Sequence, residues 1–255
     1  MRRIRLTLQY DGTNYSGWQV QPDRVTIQGV IETRLRKMTG EETMVLSAGR
    51  TDAGVHALQQ VASFDTASQH PPGVFQKALN GMLPPDIRII SSEYAGDDFH
   101  PRYSAKAKSY FYLIDCSETG NPFTGRYSYY CKYRLDSEKM IKAAACLTGR
   151  HDFSSFRASG CGARSPVREI YDIKVEQMNT IEFLTVGFSG LFIRISVKGN
   201  AFLRHMVRNI AGTMIEVGRN RISPEGLKAI LEARNRRLAG PAAPARGLFL
   251  ERVFY

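Results

Sequence analysis

Two hydrophobic periods alternate along this chain, and they do so twice in the same order. Residues 3 to 10 alternate apolar with polar side chains, the pattern of a half-buried strand. Ile27, Val30, Ile31, Leu35 and Met38 then recur at spacings of three and four, which predicts an amphipathic helix closed by Gly40. Strands are expected at 43 to 48 and 58 to 65, and Pro71-Pro72 open a second helix with Val74, Ala78, Leu79 and Met82 on one face. "DIRIISSEYA" supplies a further strand. The order is β-α-β-β-α-β, the split unit of a ferredoxin-like sheet.

The second pass begins with a strand at 106 to 114 and a helix near 136 to 148 that ends at Gly149. Strands near 167 to 177 and 180 to 198 follow, split by a turn at Ser189-Gly190, and then a helix from 202 to 217. Ser223-Pro224-Glu225 start an extra helix with serine as N-cap, and "GLFLERVFY" closes the chain as a strand. The pattern therefore predicts an α+β fold of two ferredoxin-like halves with antiparallel sheets and a cleft between them, residues 1–103 and 104–255. Such topology hosts many chemistries, so function has to be read from residues.

Charge separates the two halves. Residues 1 to 105 carry 11 Lys+Arg against 11 Asp+Glu, whereas 106 to 255 carry 24 against 13, so the whole net charge of +11 belongs to the second part. Basic residues gathered in one region are the electrostatic footprint of a nucleic-acid binder. No apolar run approaches the ~18 residues of a membrane span. "MRRIRLTLQYDG" is too short in its apolar part for a signal peptide, and the chain is expected to be cytoplasmic. Cys116, Cys131, Cys146 and Cys161 lack the close spacing of a zinc site and are expected to be reduced thiols, their even spacing a coincidence.

The candidate chemistry is concentrated in "SAGRTDAGVHA", residues 47 to 57. Asp52 follows Arg50 on a loop bracketed by glycines, which let a backbone turn sharply and approach a ligand. A carboxylate there serves as a nucleophile in glycosyl chemistry, or it caps its own turn, the common fate of a loop Asp. Its company, Arg50 before it and His56 with Gln59-Gln60 after it, favours the first reading. In the helix at 202 to 217, Leu203, Met206, Val207, Ile210 and Met214 form the buried face, while Arg204 and Arg208 share a flank. An arginine there can hold a carboxylate with two parallel hydrogen bonds, or it is solvated, or it binds phosphate; Arg204 fits the latter two. Tyr110 and Tyr112 point to one face of their strand and Phe111 to the other, and a tyrosine can offer a base its ring. The five histidines form no metal pattern, "YDGTNYSGW" lacks the Lys-Ser/Thr ending of a phosphate loop, and no dinucleotide fingerprint is present, so neither metal nor organic cofactor is expected.

Taken in order, "YDGTNYSGWQ", "AGRTDAGVHA", "RYSAKAKSYFY", "GRHDFSSFRA", "GNAFLRHMVRNIAGT" and "APARGLFL" give the chain a resemblance to the TruA-type tRNA pseudouridine synthases over nearly its whole length. That resemblance implies isomerisation of uridine to pseudouridine at positions 38, 39 and 40 in the anticodon stem-loop of tRNA, without a cofactor, by a homodimer whose tRNA touches both subunits. It makes Asp52 the catalytic aspartate, Arg50 the arginine that helps extrude the base, Tyr110 the aromatic residue against that base, and Arg208 the arginine paired with the aspartate. Two other readings of the same residues are a non-catalytic RNA-binding protein and a carboxylate-dependent glycosylase. The lack of a second obvious carboxylate to activate water counts against the glycosylase.

Overall fold

A computed structural model describes residues 1–183 and 185–255, and these divide into two compact units, Met1–Lys108 with Phe249–Tyr255, and Ser109–Leu248. The first unit runs β1 (Arg2–Tyr10), α1 (Ile27–Thr39), β2 (Leu46–Ser47), β3 (His56–Thr66), α2 (Pro72–Met82) and β4 (Ile87–Ala95). β1 lies between β3 and β4 and is antiparallel to both, from Arg2 opposite Thr66 and Tyr10 opposite Ile87. Ile4, Leu6, Leu8 and Tyr10 on β1 are buried, as the period of two requires. α1 is capped by Thr26, whose hydroxyl accepts the Gly29 N–H, and Gly40 closes it in the left-handed conformation at φ 75°.

α2 opens on Pro71-Pro72 as expected, but its inner face is Phe75 and Leu79, continued by Leu83; Val74 is exposed. Phe75 fills the site because its ring meets Phe64 of β3 edge-on at 5.3 Å. The strand expected at 43 to 48 shortens to two residues, since only Leu46 and Ser47 find ladder partners on β3.

β5 (Ala107–Asp115) leads into the second unit, followed by β6 (Tyr129–Tyr130), α3 (Ser137–Ala144), β7 (Gly149–Asp152), β8 (Val167–Phe183), β9 (Val186–Gly199), α4 (Met206–Gly218) and α5 (Pro224–Ala233). Its strands are ordered β5-β9-β8-β7, with β6 on β5. α3, α4 and α5 pack together, and every residue of α4 except Arg208 and Glu216 is buried. β10 (Leu248–Phe254) returns to the first unit, parallel to β3 with Phe249 opposite His56. The whole is α+β with largely antiparallel pairing. Among the described residues no helix is long and apolar enough to cross a membrane.

Two expectations are corrected in this unit. Ser189-Gly190 is not a turn: β8 and β9 close between Phe183 and Val186, and Ser189 pairs with Thr180 deep in the hairpin. Between Met178↔Phe192 and Thr180↔Ser189 the β9 strand advances one residue more than β8, so the Ser-Gly signal marks a bulge. The helix expected from 202 begins only at Met206, because His205 is left-handed at φ 59° and breaks the helical path. Arg204 therefore precedes the helix and shares no flank with Arg208.

Candidate active site

The Asp52 loop joins β2 to β3, and its backbone is held almost carbonyl by carbonyl. The buried ammonium of Lys108 donates to Ala48 O at 2.5 Å, and Gln60 Nε2 donates to Gly49 O at 2.7 Å. Trp18 N donates to Thr51 O at 3.0 Å, and Val55 N donates to Asp52 O at 3.1 Å, closing a tight turn in which Gly54 takes φ 77°. Four of the five carbonyls from Ala48 to Asp52 thus accept a hydrogen bond. A loop whose polar backbone is satisfied in this way keeps one conformation without a ladder of its own.

Side chains continue the anchoring. Thr51 is buried, and its hydroxyl is 2.8 Å from the Tyr10 phenol oxygen, which also accepts from Gln60 Nε2 at 3.3 Å. Burial of Tyr10 pushes its phenol up to about 12, so it stays protonated and able to donate to Thr51. Asp52 itself is half-buried and Arg50 is exposed, so consecutive positions of the loop face inward, partway and outward. Arg50 makes no ion pair or hydrogen bond among the described residues; the Arg50–Asp52 proximity suggested by sequence is not a salt bridge.

From sequence, "YDGTNYSGW" counted only toward the family resemblance and against a phosphate loop, yet this segment braces the loop from behind. A Cβ on Gly12 would come within 2.0 Å of Val55 O. One on Gly17, at φ 93°, would come within 2.7 Å of Thr51 O. Gly54 N reaches Tyr15 O at 3.4 Å, and Tyr15 is tied in turn by its hydroxyl to Asp86. Trp18 is buried beside Tyr10, with ring centroids 6.2 Å apart. The usable signal was two glycines five residues apart among large aromatics, since close backbone approach demands glycine.

His56, the first residue of β3, is a buried structural residue: its ring stacks on Phe249 at 4.6 Å, and Nδ1 lies 3.1 Å from both Gly12 N and Asp11 Oδ1. Gln60 joins the Tyr10–Thr51 cluster, whereas Gln59 is exposed.

In the second unit Tyr110 lies on β5, almost wholly buried, with its ring edge-on to Phe202 at 5.0 Å. Tyr112 is buried deeper and donates to Pro244 O at 2.8 Å; burial raises its phenol above the usual range, and its role is structural. Phe111, on the opposite face, is covered by the Arg194 guanidinium at 4.5 Å. Arg208 stands in the first turn of α4, where Nε donates to Ala243 O at 2.8 Å while its own carbonyl accepts the Ala243 N–H at 3.0 Å. Arg50 and Asp52 therefore belong to the first unit, and Tyr110 and Arg208 to the second. Among the described residues no three His, Cys, Asp or Glu side chains form a metal-ligating cluster.

Comparison with known proteins adds identity to this geometry. Residues 7–104 and 143–255 match the family model described as tRNA pseudouridine synthase. The chain is 45% identical over 255 residues to the tRNA pseudouridine synthase A of Myxococcus xanthus, covering 100% of this chain and 92% of that protein. It is 47% identical over 254 residues to the protein of the same name from Moorella thermoacetica, covering 99% of each. With the one from Bacillus pumilus the identity is 44% over 255 residues, again 99% of each.

Proposed function

We propose that this chain, which belongs to the tRNA pseudouridine synthase family, isomerises uridine to pseudouridine at positions 38, 39 and 40 in the anticodon stem-loop of tRNA. In this reading Asp52 is the catalytic carboxylate, and Arg50, Tyr110 and Arg208 bind the substrate. Arg50 takes the place of the extruded base, and Tyr110 lies against that base.

The observation that carries the reading is the Asp52 loop. Four of its five carbonyls from Ala48 to Asp52 are held, so the backbone that carries the carboxylate keeps one position. A reacting group kept in that way has already lost the entropy that a mobile loop would lose at the transition state. Arg50, exposed and without an intramolecular partner among the described residues, is available to a flipped nucleotide's place in the stack. Extruding a paired uridine costs a few kcal/mol, which an inserted guanidinium and a tyrosine ring offset.

The reaction breaks the N1–C1′ bond, turns the uracil and forms a C5–C1′ bond, with the C5 hydrogen leaving as a proton. Nothing is oxidised and no group is imported, so one carboxylate suffices to start it: by attack on C1′, by addition to the ring, or by removal of the C2′ proton. The basic excess in residues 106 to 255 supplies the phosphate contacts, and affinity falls as salt rises.

Tritium release from tRNA transcribed with 5-tritiated uridine tests this. Wild type releases tritium, and Asp52→Asn does so at least about a thousandfold more slowly. Retention of turnover within tenfold by Asp52→Asn removes Asp52 from the catalytic role. No release by wild type, with salt-sensitive binding intact, leaves an RNA-binding protein, and free uracil marks a glycosylase.

The same reading makes the enzyme a cytoplasmic homodimer, and a monomer by sedimentation at working concentration would falsify that part. It also reads the chain as two ferredoxin-like halves, residues 1–103 and 104–255. Supporting this are the order β1-α1-β2-β3-α2-β4 with strands β4-β1-β3-β2, and the recurrence β5-α3-β8-β9-α4 before β10.

A further inference from the structure

β5 and β6 run parallel, with Ile114 opposite Tyr129 and Asp115 opposite Tyr130. The first residue past each strand is a cysteine, Cys116 after β5 and Cys131 after β6. The backbone at that step is held on both sides: Cys131 N donates to Asp115 O at 2.8 Å, and Cys116 N donates to Leu191 O at 2.7 Å. Neighbouring strands lie ~4.8 Å apart. That separation falls within the ~4.4–6.8 Å between Cα atoms over which a disulfide forms without moving the backbone. Carried one step past the paired residues, that register sets the two cysteines side by side.

We propose that Cys116 and Cys131 are a reversible dithiol–disulfide couple. The Cys131 thiol donates to Tyr133 O at 3.8 Å, and the nearby positive charge of Arg219 favours a thiolate when that proton leaves. Arg219 is fixed there by stacking over the Tyr133 ring at 3.8 Å. Cys131 is 2% exposed and Cys116 half-exposed, so the pair opens to solvent on the Cys116 side, which admits a small oxidant.

With hydrogen peroxide one thiolate attacks one oxygen, the O–O bond breaks, hydroxide departs and a sulfenic acid remains. The other cysteine's sulfur then attacks that sulfur, the S–O bond breaks, and the departing oxygen takes that cysteine's proton. Two thiols become one disulfide while one peroxide becomes two waters. A small thiol such as dithiothreitol reverses the bond by exchange.

The test uses the folded full chain, treated with peroxide, blocked with iodoacetamide and digested with trypsin without reductant. Cleavage after Arg126 and Lys132 places the two cysteines in separate peptides. The expected product links those peptides, is restored to two alkylated thiols by dithiothreitol, and dominates under conditions that leave Cys146 alkylated, since burial pushes that thiol up. Cys116→Ser and Cys131→Ser each lose the linked peptide. Its absence from the folded wild-type protein overturns the couple.

Discussion

The two units present their candidate residues by opposite means. In the first, Arg50 and Asp52 lie on irregular backbone, held by hydrogen bonds from Lys108, Gln60 and Trp18 and by the close approach of Gly12 and Gly17. In the second, Tyr110 and Arg208 lie on β5 and α4, and packing fixes the side chains themselves, Tyr110 against Phe202 and Arg208 against Ala243 O. A loop can be as well defined as a helix if something else satisfies its carbonyls. What it then offers is a functional side chain carried on a backbone that does not move.

The largest expected effects come from the glycines, because backbone cannot yield to a Cβ. Gly12→Ala brings Cβ within 2.0 Å of Val55 O, and Gly212→Ala within 1.7 Å of Pro241 O beside α4. Each is expected to destabilise by about 3 kcal/mol in urea unfolding. Gly12→Ala alone should also displace Asp52 and abolish tritium release from the protein that remains folded. Gly40→Ala is the control: its φ of 75° costs only ~1–2 kcal/mol, nothing lies within 4 Å, and turnover is unchanged. Wild-type turnover in Gly12→Ala would break the idea that residues 11 to 18 brace the loop.

Next is Tyr10→Phe, which removes the 2.8 Å bond to Thr51 and is expected to cost about 1 kcal/mol at pH 8. With the loop loosened, kcat should fall about tenfold while KM changes less than about twofold, the split expected of a positioning residue. The folded phenol's pKa is raised above its unfolded value near 10, so its contribution is present below pH 10 and is lost as pH rises toward 12. Wild type and Tyr10→Phe should therefore converge in urea unfolding at pH 11. A constant gap would locate the effect elsewhere.

The arginines sharpen the contrast between units. Arg208→Lys loses the Nε–H bond to Ala243 O and should lower stability by about 1 kcal/mol. Arg50→Ala removes an exposed side chain and should stay within about 0.5 kcal/mol of wild type while tritium release collapses. Equal thermal stability in both variants would contradict the difference in anchoring.

The smallest effect belongs to the surface pair Arg3–Asp65, joined by bonds of 2.8 and 2.9 Å but with Asp65 46% exposed. Asp65→Asn should cost about 0.5 kcal/mol at pH 7 after solvent screening. The Arg3 guanidinium holds the carboxyl below its usual range, so that contribution is present above pH ~4 and lost as pH falls further. A difference that persists at pH 2 would show that packing, not charge, was removed.

Periodic features were the most legible in the chain. Alternation in β1, the capped and glycine-closed α1, and the buried stripe of α4 repeat often enough for one residue's ambiguity not to matter. Isolated signals were read less well. Ser189-Gly190 marks a bulge, because a Ser-Gly pair satisfies either geometry and only the pairing of β8 with β9 selects one. His205 delayed the start of α4 through a left-handed φ that no residue pattern foretold. β6 and β7 went unread, being two and four residues long.

At the site, the residue types around Asp52 and the family they resemble were legible from "SAGRTDAGVHA", as was the basic excess after residue 105. These are properties of composition and short-range order, which the chain carries whether folded or not. The bracing of Asp52 by Gly12, Gly17 and Trp18, and the joining of Tyr10 to Thr51 and Gln60, span 34 to 50 residues of chain. So, over 15 residues, does the placement of Cys116 beside Cys131. Such contacts depend on register and on how closely two backbones approach, and only the assembled tertiary structure sets either.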